Sequence, residues 1–186
     1  NDDTKAHSIE MCWHGQDELA VTPNGWEYDY GSFLMSYFGG SGFPTVVLDL
    51  KDNTIENTSS GLDKEIWNAR AKYPATCGVK LSTEYDAASG MINATAELTT
   101  STGGSYDMGI ALLLNNQIIP SGTNDDGKYS HIVRATTGNF FMYSSESLTE
   151  LEKDGKMTFT QKFPAGNHKL EDLTVVAFAI VPDGDR

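Results

Sequence analysis

The sequence predicts an α+β fold in which residues 1–73 form a mixed helix and strand domain and residues 74–186 form an all-β sandwich. Three observations carry this reading. Apolar residues recur at helical spacing around Phe33, Leu34 and Tyr37 and again at Leu62, Ile66, Ala69 and Tyr73. After Pro74 that period stops and strict alternation takes over, as in Ile92, Ala94, Ala96 and Leu98 against Asn93, Thr95 and Glu97. Clusters of turn residues then punctuate the chain at short intervals, the texture of a sandwich.

From His7 to Trp13 the residues Ile9, Met11 and Trp13 alternate with Ser8, Glu10 and Cys12, which predicts a strand with one buried face. A polar connection holding Gly15, Pro23, Asn24 and Gly25 follows. Asp29 to Phe38 reads as a short amphipathic helix closed by Gly39 and Gly40. Thr45 to Leu50 is the next strand, Asp52 and Asn53 are expected to turn it, and another short strand is placed near Ile55. Gly61 and Pro74 bound a helix over Leu62 to Lys72.

In the second part, strands are expected at Val79 to Tyr85, Ile92 to Leu98, Tyr106 to Leu114, Tyr129 to Ala135, Met157 to Phe163 and Leu173 to Val181. The last is almost wholly apolar and is therefore expected to be central in its sheet. Ser101 to Ser105 reads as a turn, and Ser147 to Lys153 as a short helical crossover.

Composition excludes several function classes. The chain has 186 residues, 39% hydrophobic and 21% charged, with 13 Lys and Arg against 26 Asp and Glu, a net charge of -13. That charge is shared between the two parts and opposes binding to nucleic acid or to an anionic membrane surface. A neutral or cationic partner fits better. No apolar run approaches bilayer-spanning length and no signal segment opens the chain. Because residue 1 is Asn, the chain is expected to begin after processing or inside a longer product.

The two cysteines, Cys12 and Cys77, form no Cys-x-x-Cys pair, although one bridge between them is conceivable. Cys12-Trp13-His14-Gly15 has Gly15 where a redox motif has its second thiol, so Cys12 reads as a buried strand residue. Cys12 and His14 share a strand face and could supply two metal ligands, which is too few. His131 shares a face with Tyr129 and Val133 and reads as structural. Asn124-Asp125-Asp126-Gly127 lacks calcium-loop spacing and reads as a turn. No catalytic set, metal site or cofactor site stands out.

Residues 26–43 are rich in aromatics. Phe33 and Tyr37, at i and i+4 on the helix, are expected in the core. Trp26, Tyr28 and Tyr30, placed before the helix, are the better surface candidates for stacking on a sugar or lining a peptide groove.

Helix, Gly42-Phe43-Pro44-Thr45 and strand in succession resemble the second half of a thioredoxin-like domain. There the proline is cis, and Phe43 and Pro44 stand beside the His14 to Asp17 segment. With Trp13-His14, Asp17, Lys128 to Arg134 and the closing Leu173 to Phe178 strand, the chain resembles the twenty-eight-kilodalton outer-membrane-protein family of Gram-negative bacteria. The resemblance implies a thioredoxin-like domain over 1–73, incomplete at its N-terminus, and an immunoglobulin-like sandwich over 74–186. It implies a lipid-anchored cell-envelope protein, outer-membrane and periplasmic or surface-exposed, whose anchor lies outside this chain.

Two classes of function follow. One is a non-catalytic binding or scaffolding module for a protein, peptide or glycan, with Trp26, Tyr28, Tyr30, Phe43, Pro44 and His14 as binding residues. The other is a thiol-disulfide oxidoreductase whose Cys-x-x-Cys lies upstream of Asn1.

Overall fold

The computed structural model describes residues 10–14, 30–40, 46–48, 52–54, 59–118, 127–137 and 147–182. Over these residues the fold is largely β. Helix α1 spans Tyr30–Tyr37 and α2 spans Ser59–Lys72, starting earlier than the Gly61 signal placed it. Between them β1 (Val46–Leu48) and β2 (Asp52–Thr54) form an antiparallel pair with Val47 opposite Asn53. Asp52 and Asn53, expected to turn the chain, therefore stand inside β2.

Strands β3 (Cys77–Asp86), β4 (Met91–Thr100) and β10 (Lys156–Pro164) make the first large sheet in the order β10-β4-β3. The β3–β4 turn is built by Asp86. Its carboxylate accepts the Ala88 N–H at 3.0 Å and the Ser89 hydroxyl at 2.6 Å, while the Gly90 N–H reaches the Asp86 carbonyl at 2.8 Å. Gly90 takes φ 68, which a glycine adopts without a Cβ clash.

The second sheet runs β11 (Leu173–Ile180), β5 (Gly104–Leu114), β8 (Ile132–Thr136), with β9 (Thr149–Leu151) paired to the first residues of β5. A small pair, β6 (Gln117–Ile118) and β7 (Lys128–Tyr129), lies beside it. Three expectations change here. Ser147 to Lys153 holds β9 rather than a helical crossover, because Gly104 to Tyr106 offers it a ladder. Tyr129 to Ala135 is not one strand, since His131 adopts φ 59 and breaks it into β7 and β8, so the shared face of Tyr129, His131 and Val133 is lost. β11 is not central: β5 is its one strand neighbour among the described residues, and β5 occupies the middle.

The two sheets face each other across one core. Opposed residues of neighbouring strands share a face, so Ile92, Ala94, Ala96 and Leu98 of β4 point inward together. They meet Tyr106, Met108, Ile110 and Leu112 of β5, and all eight are buried. Alternation in β4 thus becomes one wet and one dry face, as the pattern predicted.

The crossing from β4 to β5 is tied by polar groups. Thr100 Oγ1 accepts the N–H groups of Thr102 and Gly103 at 3.2 and 3.1 Å and lies 2.7 Å from the buried Tyr106 hydroxyl. That hydroxyl donates to the Gly103 carbonyl or Thr76 Oγ1, each 3.1 Å away. Tyr106→Phe removes these bonds while the Thr100 hydroxyl still donates to the Thr76 carbonyl at 3.2 Å, so the expected cost is about 0.5–1.5 kcal/mol. A urea titration read by fluorescence should show the lowered midpoint with an unchanged slope.

The other face of β5 is also covered. Gly109 points to that side, directly opposite Phe178 of β11, and the Phe178 ring occupies the space a Cβ would take. Gly109→Ala therefore overpacks the site and is expected to cost about 1–3 kcal/mol. In a double-mutant cycle with Phe178→Ala the two losses should not add, because removing the ring removes the clash.

Candidate functional site

Residues 10–14 lie along the outer edge of β8. The Cys12 N–H donates to the His131 carbonyl at 2.8 Å, and the Val133 N–H donates to the Cys12 carbonyl at 2.9 Å, a parallel bridge between Cys12 and Ile132. The alternation seen in the sequence sets the faces. Met11 and Trp13 pack with Ala111, Leu113, Val133, Val176 and Phe178 over the second sheet. Cys12, with opposite parity, turns away from them toward Glu10 and His131.

His131 is the joint of this arrangement. Its left-handed backbone aims the carbonyl at Cys12, and its N–H is held at 2.9 Å by Asn115 Oδ1. Asn115 is itself oriented by donating Nδ2 to the Asp172 carbonyl at 3.3 Å and to Thr174 Oγ1 at 3.0 Å. One oxygen of Glu10 lies 3.1 Å from His131 Nδ1, and the other accepts the Cys12 thiol at 3.2 Å. The Glu10–His131 pair is half exposed, so its own contribution is about 0–1 kcal/mol.

This geometry works against nucleophilic chemistry at Cys12. A reactive thiol needs a group that takes its proton or stabilises the thiolate. Here the imidazole is engaged by Glu10, and the thiol faces a carboxylate. Burial first, then the charge of Glu10 and then its hydrogen bond, push the Cys12 thiol from 9.0 up to about 12. Cys77 is also raised by burial, and the two cysteines are free rather than bridged. Among the described residues no group of three or more His, Cys, Asp or Glu is gathered to hold a metal ion.

His14 is not paired with Cys12; its ring stands edge-on to Tyr129 with centroids 5.2 Å apart. Tyr30 begins α1 instead of preceding it. Trp26, Tyr28, Phe43 and Pro44, with the expected cis bond, lie outside the described residues. Phe33 and Tyr37 do stack, at 6.0 Å and 29°, and Phe38 meets Tyr37 edge-on at 5.0 Å. Tyr37 is 48% exposed, however, so it is not a core residue, whereas Leu34 of that helix is buried.

Comparison with known proteins places the chain by fold alone. No protein-family model and no curated protein matches it. The structure is similar to HBP35 of Porphyromonas gingivalis, with a TM-score of 0.61 and 20% sequence identity over 80% of this chain and 51% of that one. The chain thus spans about half the length of the solved structure it matches. No helix among the described residues is long and apolar enough to cross a membrane.

Glu10, Asn115 and the joint at His131 were not singled out as a group from sequence. Parity alone puts Glu10 beside Cys12, but the third partner comes from a segment 119 residues on from Cys12, which only the sheet brings near. The raised thiol has a measurable consequence. Below pH 9 the folded and unfolded chains both hold the Cys12 proton. Between about 9 and about 12 only the unfolded chain releases it, so stability falls with rising pH across that window. Cys12→Ala should flatten that slope in denaturant titrations, and at pH 8 Cys12 should resist alkylation until the chain is unfolded.

Proposed function

We propose that this chain is a non-catalytic binding or scaffolding module of a Gram-negative cell envelope. In this reading residues 1–73 are a thioredoxin-like segment lacking its redox helix and residues 74–186 an immunoglobulin-like sandwich. A lipid anchor outside the chain holds it at the outer membrane. The ligand is a protein, peptide or glycan, taken up by Trp26, Tyr28, Tyr30, Phe43, Pro44 and His14.

The observation that carries this reading is the state of Cys12. Cys12 is tied into a β-bridge and its thiol donates to Glu10, which keeps it protonated. Disulfide exchange needs a thiolate and, in the two-thiol route, a nearby resolving cysteine. Cys77 begins β3, in the sheet opposite the one that residues 10–14 border, and does not supply it. The likeness to HBP35 of a Gram-negative bacterium is compatible with an envelope role.

In an insulin-reduction assay with dithiothreitol the chain is expected to stay at background, with Cys12→Ser indistinguishable from the parent. Reduction above background that Cys12→Ser abolishes would overturn the non-catalytic reading.

A further inference from the structure

Residues 10–14 lie on the second sheet as a bound peptide would. Two kinds of contact hold them. The backbone of Cys12 donates to the His131 carbonyl and accepts from the Val133 N–H, bonds that are indifferent to the side chain at that position. Met11 and Trp13, two residues apart and on one side, pack with Ala111, Leu113 and Val133, each no more than 1% exposed. On the other side a Glu10 carboxylate oxygen lies 3.1 Å from His131 Nδ1.

The receiving edge is shaped by the sandwich itself. His131 holds φ 59, a conformation that a non-glycine residue keeps only when its surroundings enforce it and that recurs where a backbone group has to be aimed. The enforcing groups are on the page. Asn115 Oδ1 accepts the His131 N–H at 2.9 Å, and the Asn115 amide is fixed in turn by the Asp172 carbonyl and Thr174 Oγ1. None of them belongs to residues 10–14. The sandwich thus presents the His131 carbonyl as an acceptor for an extended segment, and residues 10–14 are the segment that meets it.

We propose that the outer edge of β8 is a docking groove for an extended peptide of a partner protein, an acidic residue followed by two bulky apolar residues at alternate positions, and that residues 10–14 occupy it in cis. The groove already holds that pattern as Glu10-Met11-Cys12-Trp13. A partner peptide pairs its backbone with His131 and Val133, lays its two apolar side chains over Ala111, Leu113 and Val133, and reaches His131 with its carboxylate. Strand addition of this kind draws affinity from the main chain and specificity from alternate side chains. The chain's own segment is a tethered competitor, and tethering raises its local concentration without adding a contact. Weak ligands are thereby kept out. This groove deepens the binding-module reading and rests on it, but the two fail separately, since the groove can reject a peptide while insulin stays unreduced.

The probe is a fluorescein-labelled synthetic peptide of residues 8–15 carrying Cys12→Ser, titrated by fluorescence anisotropy with the 186-residue chain. Trp13→Ala in the chain removes the larger anchor of the cis segment, so that variant is expected to bind the probe at least about tenfold more tightly than the parent does. A probe that also carries Trp13→Asp should bind neither chain. The parent gives a readout that needs no variant: at pH 8, millimolar unlabelled probe should displace residues 10–14 and speed alkylation of Cys12, followed by mass spectrometry. Equal affinity for parent and Trp13→Ala overturns the proposal, because the probe then binds elsewhere. So does a Cys12 that stays as protected with the probe as without it. A parent dimer in sedimentation velocity that Trp13→Ala dissociates overturns it as well, since residues 10–14 would then be exchanged between copies of the chain.

Discussion

From Met108 to Leu114 strand β5 has no face turned to water, and the rest of the structure is arranged around that constraint. Its inward residues meet β4 in the main core, while Ala111 and Leu113 on the other side are covered by Met11, Trp13, Val133, Val176 and Phe178. A strand buried on both faces must be continuously apolar, and Gly109 to Leu114 is. It also needs neighbours on both sides to pair its backbone, which β11 supplies along one edge and β9 and β8 along the other. The apolar second face explains why residues 10–14, far away in sequence, are drawn onto this sheet.

Covering that second face governs the chemistry of Cys12. Met11 and Trp13 are pulled inward, so the residues between and around them are committed to the β8 edge. Two backbone hydrogen bonds then fix Cys12, and Glu10 accepts a hydrogen bond from its thiol. The raised pKa is a by-product of packing: burial comes first among its causes and the neighbouring carboxylate second. A thiol placed in this way serves the fold.

The positive-φ residues mark where the second sheet departs from regular ladders. His131 and Asn116 both adopt left-handed backbone, at φ 59 and 57, and both are tied to the segment around Asp172. Asn116 donates its side-chain amide to Asp172 Oδ1 at 2.8 Å, and Asn115 links His131 to the start of β11. These local hydrogen bonds offset backbone strain of about 1–3 kcal/mol per residue. They join the β5 end, the β8 start and the turn before β11 into one polar knot at the mouth of the core.

Much of the architecture was legible in the chain because it depends on parity and period. Ile92 to Leu98 alternate, and their burial follows directly; Tyr106 to Leu114 and Met157 to Phe163 were likewise found as strands within two residues of their ends. Helices α1 and α2 declared themselves through spacing and through the Gly and Pro residues that bound them. Local pattern could not assign sheet order, because an apolar run reads the same at a centre as at an edge whose two faces are packed. For that reason β11 was expected in the middle. Nor could it foresee β9, a three-residue strand made by the ladder that Gly104 to Tyr106 offers, or the break at His131, where Asn115 and Cys12 hold the backbone from outside the segment. The sequence by itself determined which residues of β4 turn inward and that no Cys-x-x-Cys pair occurs in these residues. Only the tertiary structure decided which edges are covered and what surrounds Cys12, since both depend on contacts between segments more than a hundred residues apart.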